Sequence, residues 1–436
     1  MRRLLFVATL AAAVATPLRG QELTPVEADL AAWADANAEE AVALLQRIVD
    51  INSGSLNLEG VREVGRVLRA ELDALGLETE WVDVPETGRA GHLLARTNGG
   101  EGKRILMIGH LDTVFEEDDP FQSFQRDGNR ATGPGIDDMK AGDVVMIFAL
   151  RALAEAGLLD DVQITAVFTG DEESPGEPLE LARRDLIEAG KWADIALGFE
   201  SGIRDEEAEW ATVARRSASE WRLSVTGRQA HSSGIFSEEA GAGAIFEAAR
   251  ILNGFYEEVR GEEYLTFNAG VILGGTDVGY DYEETRGTAF GKTNVIPNTV
   301  VVHGGIRTIS NEQLERARQG MRDVVARHLP RTSAEVTFTE GYPSMPPTPG
   351  NIALQEALSA INVGLGRDPM PALDPARRGA ADISFVAPYV DGLAGLGGYG
   401  EGAHAPGESL DLESLPLAIK RAAILIYRLT RESPVL

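Results

Sequence analysis

Apolar and polar residues along the chain fall into two textures. From Leu23 to Ile51 apolar residues recur at Leu30, Trp33, Ala41, Leu44, Leu45 and Ile48, and a second such stretch runs from Glu59 to Leu75. Both have the spacing of one helical face. Three extended segments follow, Glu78–Val84, Gly91–Ala95 and Arg104–Gly109. Met139–Glu155 reads as a helix of small and apolar residues. Val162–Thr169 and Asp194–Phe199 are further apolar runs of strand length. Strands apolar on both faces, alternating with helices, predict an α/β sheet covered on both sides.

Near Trp210 the texture changes. Glu220–Thr226 and part of Asn298–Arg307 alternate polar and apolar, as half-buried antiparallel strands do. A helix (Glu238–Tyr256), a strand (Leu265–Leu273), a helix (Glu312–His328) and a strand (Ala334–Thr339) complete an α+β unit. Pro343–Pro349 then reads as a stiff linker. The tail returns to helix at Ile352–Val363 and Leu412–Leu429, with the glycine-rich Gly392–Gly402 between them. The α+β unit, 212–340, is therefore expected to be inserted into a larger α/β domain made of 22–211 and 341–436.

Composition narrows the picture. Arg2 and Arg3 precede an apolar run from Leu4 to Ala15, with small residues at Ala13 and Ala15. Residues 1–21 are thus expected to be a signal peptide, making the mature protein periplasmic or secreted and free of membrane. The chain has no cysteine, which removes disulfides, thiolate ligands and a cysteine nucleophile together. A net charge of -28 argues against nucleic acid as a partner.

The candidate chemistry collects at the ends of the apolar strands. Ile105–Gly109 ends in His110, and Asp112, two positions on, can face the same site. Gly133-Pro-Gly-Ile-Asp-Asp-Met-Lys140 is a tight turn with Asp137 and Asp138 at the start of a helix, where an aspartate is also a common helix cap. Asp171-Glu172-Glu173 follows the next strand, Glu200 ends another, and His404 lies in a glycine-rich loop. His110, Asp138, Glu173, Glu200 and His404 make two imidazoles and three carboxylates, a donor set suited to two zinc-class ions with one carboxylate bridging. Two such ions polarise a carbonyl and supply hydroxide at neutral pH. Glu172 is then a spare carboxylate suited to moving the water's proton.

These separated segments, in this order, resemble the M20 family of zinc exopeptidases and amidohydrolases, and the variety most similar is the glutamate carboxypeptidase (carboxypeptidase G-type) branch. The resemblance implies a zinc-exopeptidase-like α/β/α catalytic domain with an inserted α+β (ferredoxin-like) lid and dimerisation domain. It also implies two Zn2+ per subunit. His110, Asp138 and Glu200 would hold one ion and Asp138, Glu173 and His404 the other, with Asp138 bridging. Asp112 would orient His110, and Glu172 would be general base and acid. His231, in Gly227-Arg-Gln-Ala-His231, would stabilise the oxyanion, often from the other subunit of a homodimer. By its surroundings in the sequence alone, His231 is equally a solvated turn residue. Asn294 and Arg307 would hold the substrate's carboxylate end. His92, His303 and His328 match nothing in the family.

The implied activity is cleavage of the amide bond to a C-terminal amino acid, with small peptides as substrates. An N-acyl-amino-acid deacylase of the same family is the alternative, and a non-catalytic metal- or peptide-binding protein on the same fold is the rival from another class. Two departures bear on specificity. Tyr342 stands where the glutamate-specific members carry an arginine, and the acidic insertion Gly274–Gly287 is long.

Overall fold

The computed structural model describes residues 22–100, 102–282 and 286–431. The expected leader, 1–21, lies outside them, as do Glu283 and Glu284 of the insertion. No helix among the described residues is long and apolar enough to cross a membrane.

The larger sheet has six strands in the order Glu78–Val82, His92–Arg96, Gln163–Thr169, Arg104–His110, Ile195–Gly198 and Gly392–Leu393. Arg104–His110 runs parallel to both of its neighbours, which puts its carboxyl end beside theirs. His92–Arg96 pairs antiparallel on both sides, so the sheet is mixed rather than wholly parallel. Consecutive side chains of the central strand enter different cores. Ile105 and Met107 pack with the helices Ala38–Val49, Leu58–Ala74, Ala141–Glu155 and Ser414–Arg431. Leu106 and Ile108 pack with Leu186, Ile383, Phe385 and Val386 on the other face. Two covered faces explain why these strands are continuously apolar.

The smaller sheet is antiparallel throughout, in the order Thr266–Gly275, Thr299–Arg307, Ala218–Gly227 and Thr332–Tyr342. Trp221, Leu223 and Val225 face Ile251, Met321 and Val324 from its two helices, Ala244–Gly254 and Asn311–Val325, and Phe255 just beyond the first of them. This core is separate from the other two. Glu220, Arg222 and Ser224 alternate with the apolar set and lie on the opposite face.

Several boundaries differ from those expected. Leu23–Ile51 is two helices, Pro25–Ala36 and Ala38–Val49, divided at Asn37. The helix expected from Glu238 starts only at Ala244, because Gly241 and Gly243 adopt φ of 74° and 78° just before it. The Arg184–Trp192 helix went unpredicted. The insertion after Gly274 contains a hairpin, Asp277–Asp281 with Arg286–Phe290. It packs against the smaller sheet, where the Tyr280 hydroxyl meets His303 at 3.3 Å.

Candidate metal centre and its supports

Two structural devices bring the candidate residues together. The first is the parallel alignment of strand ends, which sets His110 opposite Thr169, two residues before Asp171. The second is a small four-stranded sheet. Its Tyr399–Glu401 and Ser409–Asp411 strands flank the loop bearing His404, while Arg130–Thr132, paired to Ser409–Asp411, leads into the Gly133–Lys140 turn. One hairpin thus carries His404 to Asp138. His404 itself has φ of 63°, a left-handed conformation in a tight loop.

Neither Asp137 nor Asp138 caps the following helix by its side chain. Asp138 sits instead at the centre of the cluster. Its Oδ1 lies 3.2 Å from His110 Nε2 and its Oδ2 3.1 Å from His404 Nε2. The same His404 nitrogen is 3.1 Å from Glu173 Oε2. Ligand atoms of His110, Asp138 and Glu173 lie within 4.8 Å of one another. Burial works against a charged Asp138, yet hydrogen bonds from the two imidazoles hold its carboxyl far below the usual range. Hydrogen bonds to Asp138 and Glu173 raise His404 to about 11. A field that favours positive charge this strongly, at imidazole and carboxylate donors, fits a divalent ion of the zinc class. Glu173 Oε1 adds a buried oxygen with no hydrogen-bond partner.

Glu200 is placed differently. Its Oε2 accepts a hydrogen bond from Arg215 and lies 3.7 Å from Arg378. Neither arginine was singled out from the sequence, and both are largely withdrawn from solvent.

The carboxylate of Asp112 is fully buried and lies 3.6 Å from His110 Nδ1. The nearer partner of that nitrogen is the main-chain oxygen of Asp112, at 3.1 Å. The carboxylate accepts hydrogen bonds from Ser55 Oγ and from the amides of Glu172 and Glu173, at 2.5, 2.9 and 3.0 Å. It therefore fixes the loop that presents both glutamates. Glu408, buried and also missed, does the same for the other turn by accepting the amides of Gly135, Asp137 and Asp138 at 3.1, 2.7 and 2.9 Å. Its position four residues after His404 was the available signal. Gly142 has a steric reason, since a Cβ there would lie 1.9 Å from the Phe199 carbonyl oxygen. Burial raises the Glu172 carboxyl well above the usual range, with Asp382, Glu200 and Glu173 adding to the rise and His110 opposing it.

Among the described residues, no hydrogen bond or ion pair joins the three residues expected in the inserted unit to this cluster. His231 is exposed, and its Nδ1 meets Ser233 Oγ at 2.8 Å. Asn294 receives the Ser232 amide on its main-chain oxygen at 2.9 Å. Arg307 is exposed, makes no ion pair among the described residues, and reaches toward Gly379 of the larger body. His92, His303 and His328 are occupied elsewhere, beside Asp171, Glu220 and Glu247.

A mixed α/β sheet with imidazoles and carboxylates gathered at its parallel strand ends defines a metal-dependent hydrolase. Residues 106–428 match the model of peptidase family M20/M25/M40, and the chain belongs to that family. It is 26% identical over 396 residues to carboxypeptidase G2 of Pseudomonas sp. (strain RS-16), covering 89% of each chain. It is 27% identical to a succinyl-diaminopimelate desuccinylase of Acidovorax ebreus (strain TPSY), over 67% of this chain and 76% of the relative. Among solved structures, the aminopeptidase PepT of Bacillus cereus ATCC 10987 superimposes with a TM-score of 0.72 at 20% identity, covering 91% of this chain and 99% of that one.

Proposed function

We propose that this protein hydrolyses the amide bond to a C-terminal amino acid bearing a free carboxylate, with two zinc ions at the cluster. The observation that carries the reading is Glu172, an uncommitted carboxylate with a raised pKa, held by Asp112 next to the ligand Glu173. His110, Asp138 and Glu200 would hold one ion, and Asp138, Glu173 and His404 the other. Bound there, the ions would polarise the scissile carbonyl and acidify a water.

The residues supply the remaining steps. Glu172 accepts the water's proton and delivers it to the leaving amine. Asp112 holds the Glu172 amide in place while it does so. Arg307 grips the substrate carboxylate, for which a guanidinium is the bidentate partner, and Asn294 adds an amide donor. His231 donates to the oxyanion.

We further assign 22–211 with 341–436 to the catalytic domain and 212–340 to a lid, a division supported by their separate cores. Phe236, Ile245, Phe246, Ile272 and Phe290 leave exposed apolar surface on the lid unit, and Thr266–Gly275 is an edge strand of its sheet. A homodimer through this face would cover both, and a monodisperse monomer in light scattering would contradict it. Residues 1–21 direct export to the periplasm or beyond. N-terminal sequencing of protein recovered outside the cytoplasm should begin at or near Glu22, whereas intact protein confined to the cytoplasm would overturn export.

The relatives named desuccinylases favour a second reading, release of an N-acyl group from an amino acid. Tyr342 bears on the choice: its hydroxyl is engaged by Arg183 and Glu172 and offers no cation to a glutamate side chain. Hydrolysis of a panel of dipeptides and N-acyl amino acids by zinc-loaded protein decides. Turnover of peptides with varied C-terminal residues supports the carboxypeptidase reading, turnover confined to N-acyl amino acids supports the deacylase, and no turnover at all overturns both.

A further inference from the structure

The loop Asp171-Glu172-Glu173 is held from two sides. On one side the Asp112 carboxylate takes the amides of Glu172 and Glu173. On the other lies a buried polar network that no step above uses. Arg183, with no exposed surface, ion-pairs with Asp171 at 2.6 Å and with Asp382 at 2.7 Å. It also donates to the Asp171 main-chain oxygen at 2.9 Å. A further N–H meets the Tyr342 hydroxyl at 2.6 Å. Guanidinium carries donors only, so the phenolic oxygen accepts from Arg183 and its own proton is left for another partner. That partner is the main-chain oxygen of Glu172, at 2.6 Å.

Tyr342 is the last residue of the Thr332–Tyr342 strand of the smaller sheet and stands opposite Ala218 in its register. Three residues later Met345 exchanges two 2.9 Å main-chain hydrogen bonds with Arg215. The two chain crossings between the bodies are thus paired to each other, and Tyr342 stands at that junction. Its ring packs edge-on against Phe385 of the larger body, with centroids 4.9 Å apart. Main-chain pairing in the smaller sheet and the hydroxyl contact to the candidate base thus belong to one residue.

We propose that Tyr342 is a positioning residue, its hydroxyl, oriented by Arg183, fixing the main chain of Glu172 so that the geometry of the lid junction is passed to the base. The inference rests on the assignment of Glu172 as base. A neutral hydrogen bond of this kind is worth about 0.5–1.5 kcal/mol, or roughly 2- to 10-fold in rate if realised in the transition state. The ring of a phenylalanine fits the same space, so Tyr342→Phe removes the hydroxyl alone.

The experiment is a double-mutant cycle on zinc-loaded protein, using the fastest-hydrolysed member of the panel above. Tyr342→Phe should lower kcat about 5-fold and leave KM and zinc content unchanged. In a Glu172→Asp background, where the carboxylate is already withdrawn by one methylene, the same substitution should cost less than about 2-fold, because residues acting as a unit are not additive. Hydrogen exchange of the 171–175 segment should also quicken in Tyr342→Phe without a change elsewhere in the larger body. Wild-type kcat in Tyr342→Phe, or an equal cost in both backgrounds, would overturn the proposal. Failure of the underlying reading has a different signature, namely Glu172→Asp and Glu172→Gln variants as active as the wild type.

Discussion

The floor of the site and the surface above it are built on opposite plans. In the floor, Glu172, Glu173 and Asp138 sit on turns whose amides are taken by the buried carboxylates of Asp112 and Glu408, and His110 is held through both ring nitrogens. In the smaller body, His231 and Arg307 are exposed, and among the described residues Arg307 makes no ion pair. A group that handles protons or ions gains from being fixed before substrate arrives, since no reorganisation is then needed during reaction. A group that grips a mobile ligand must stay open until the ligand is present. On the proposed reading, proton and metal handling fall to the larger body, while contacts to the substrate's carboxylate and oxyanion fall to the smaller.

Substitutions can break that division, the most damaging first. Asp138→Asn removes the shared charge between His110 and His404, and should abolish both zinc retention and turnover. Metal analysis beside an activity assay checks this, and chelation of the wild type should reproduce it. Arg307→Ala should act on recognition: loss of a charge-assisted contact costs about 1.5–3 kcal/mol, or roughly 10- to 150-fold in kcat/KM. Its zinc content should stay at the wild-type value, and a fall in zinc would break the separation of roles. If the proposed homodimer forms through the smaller body, Ile272→Lys should move the protein toward monomer in light scattering, and activity should fall with it if His231 acts from the partner subunit. The smallest effect is expected from Ser233→Ala. Ser233 meets only the Nδ1 side of the exposed His231, so kcat should change about 2-fold or less, in keeping with a hydrogen bond at an exposed site.

What could be read from the sequence follows the same division. Strands buried on both faces are continuously apolar, so Arg104–His110 and Gln163–Thr169 were visible, and with them His110 and Glu173 at their ends. His404 and Asp138 were found by residue type and order, but their meeting depends on a small sheet of three-residue strands too short to leave a periodic pattern. The polar supports stayed hidden for a related reason. Arg183, Arg215 and Glu408 look like surface charges in a chain with 68 acidic residues, and only tertiary structure shows them buried. Tyr342 could be noticed as a departure, but not as a hydroxyl turned inward under Glu172.

On the proposed reading, Glu172 moves the proton while the ligands alone retain the metal. The most direct measurement is turnover and zinc content of Glu172→Gln, side by side with the wild type. Unchanged zinc and a loss in kcat of about 10³-fold are expected, within the range of general acid–base catalysis. Turnover within 10-fold of the wild type, with zinc in place, would contradict it.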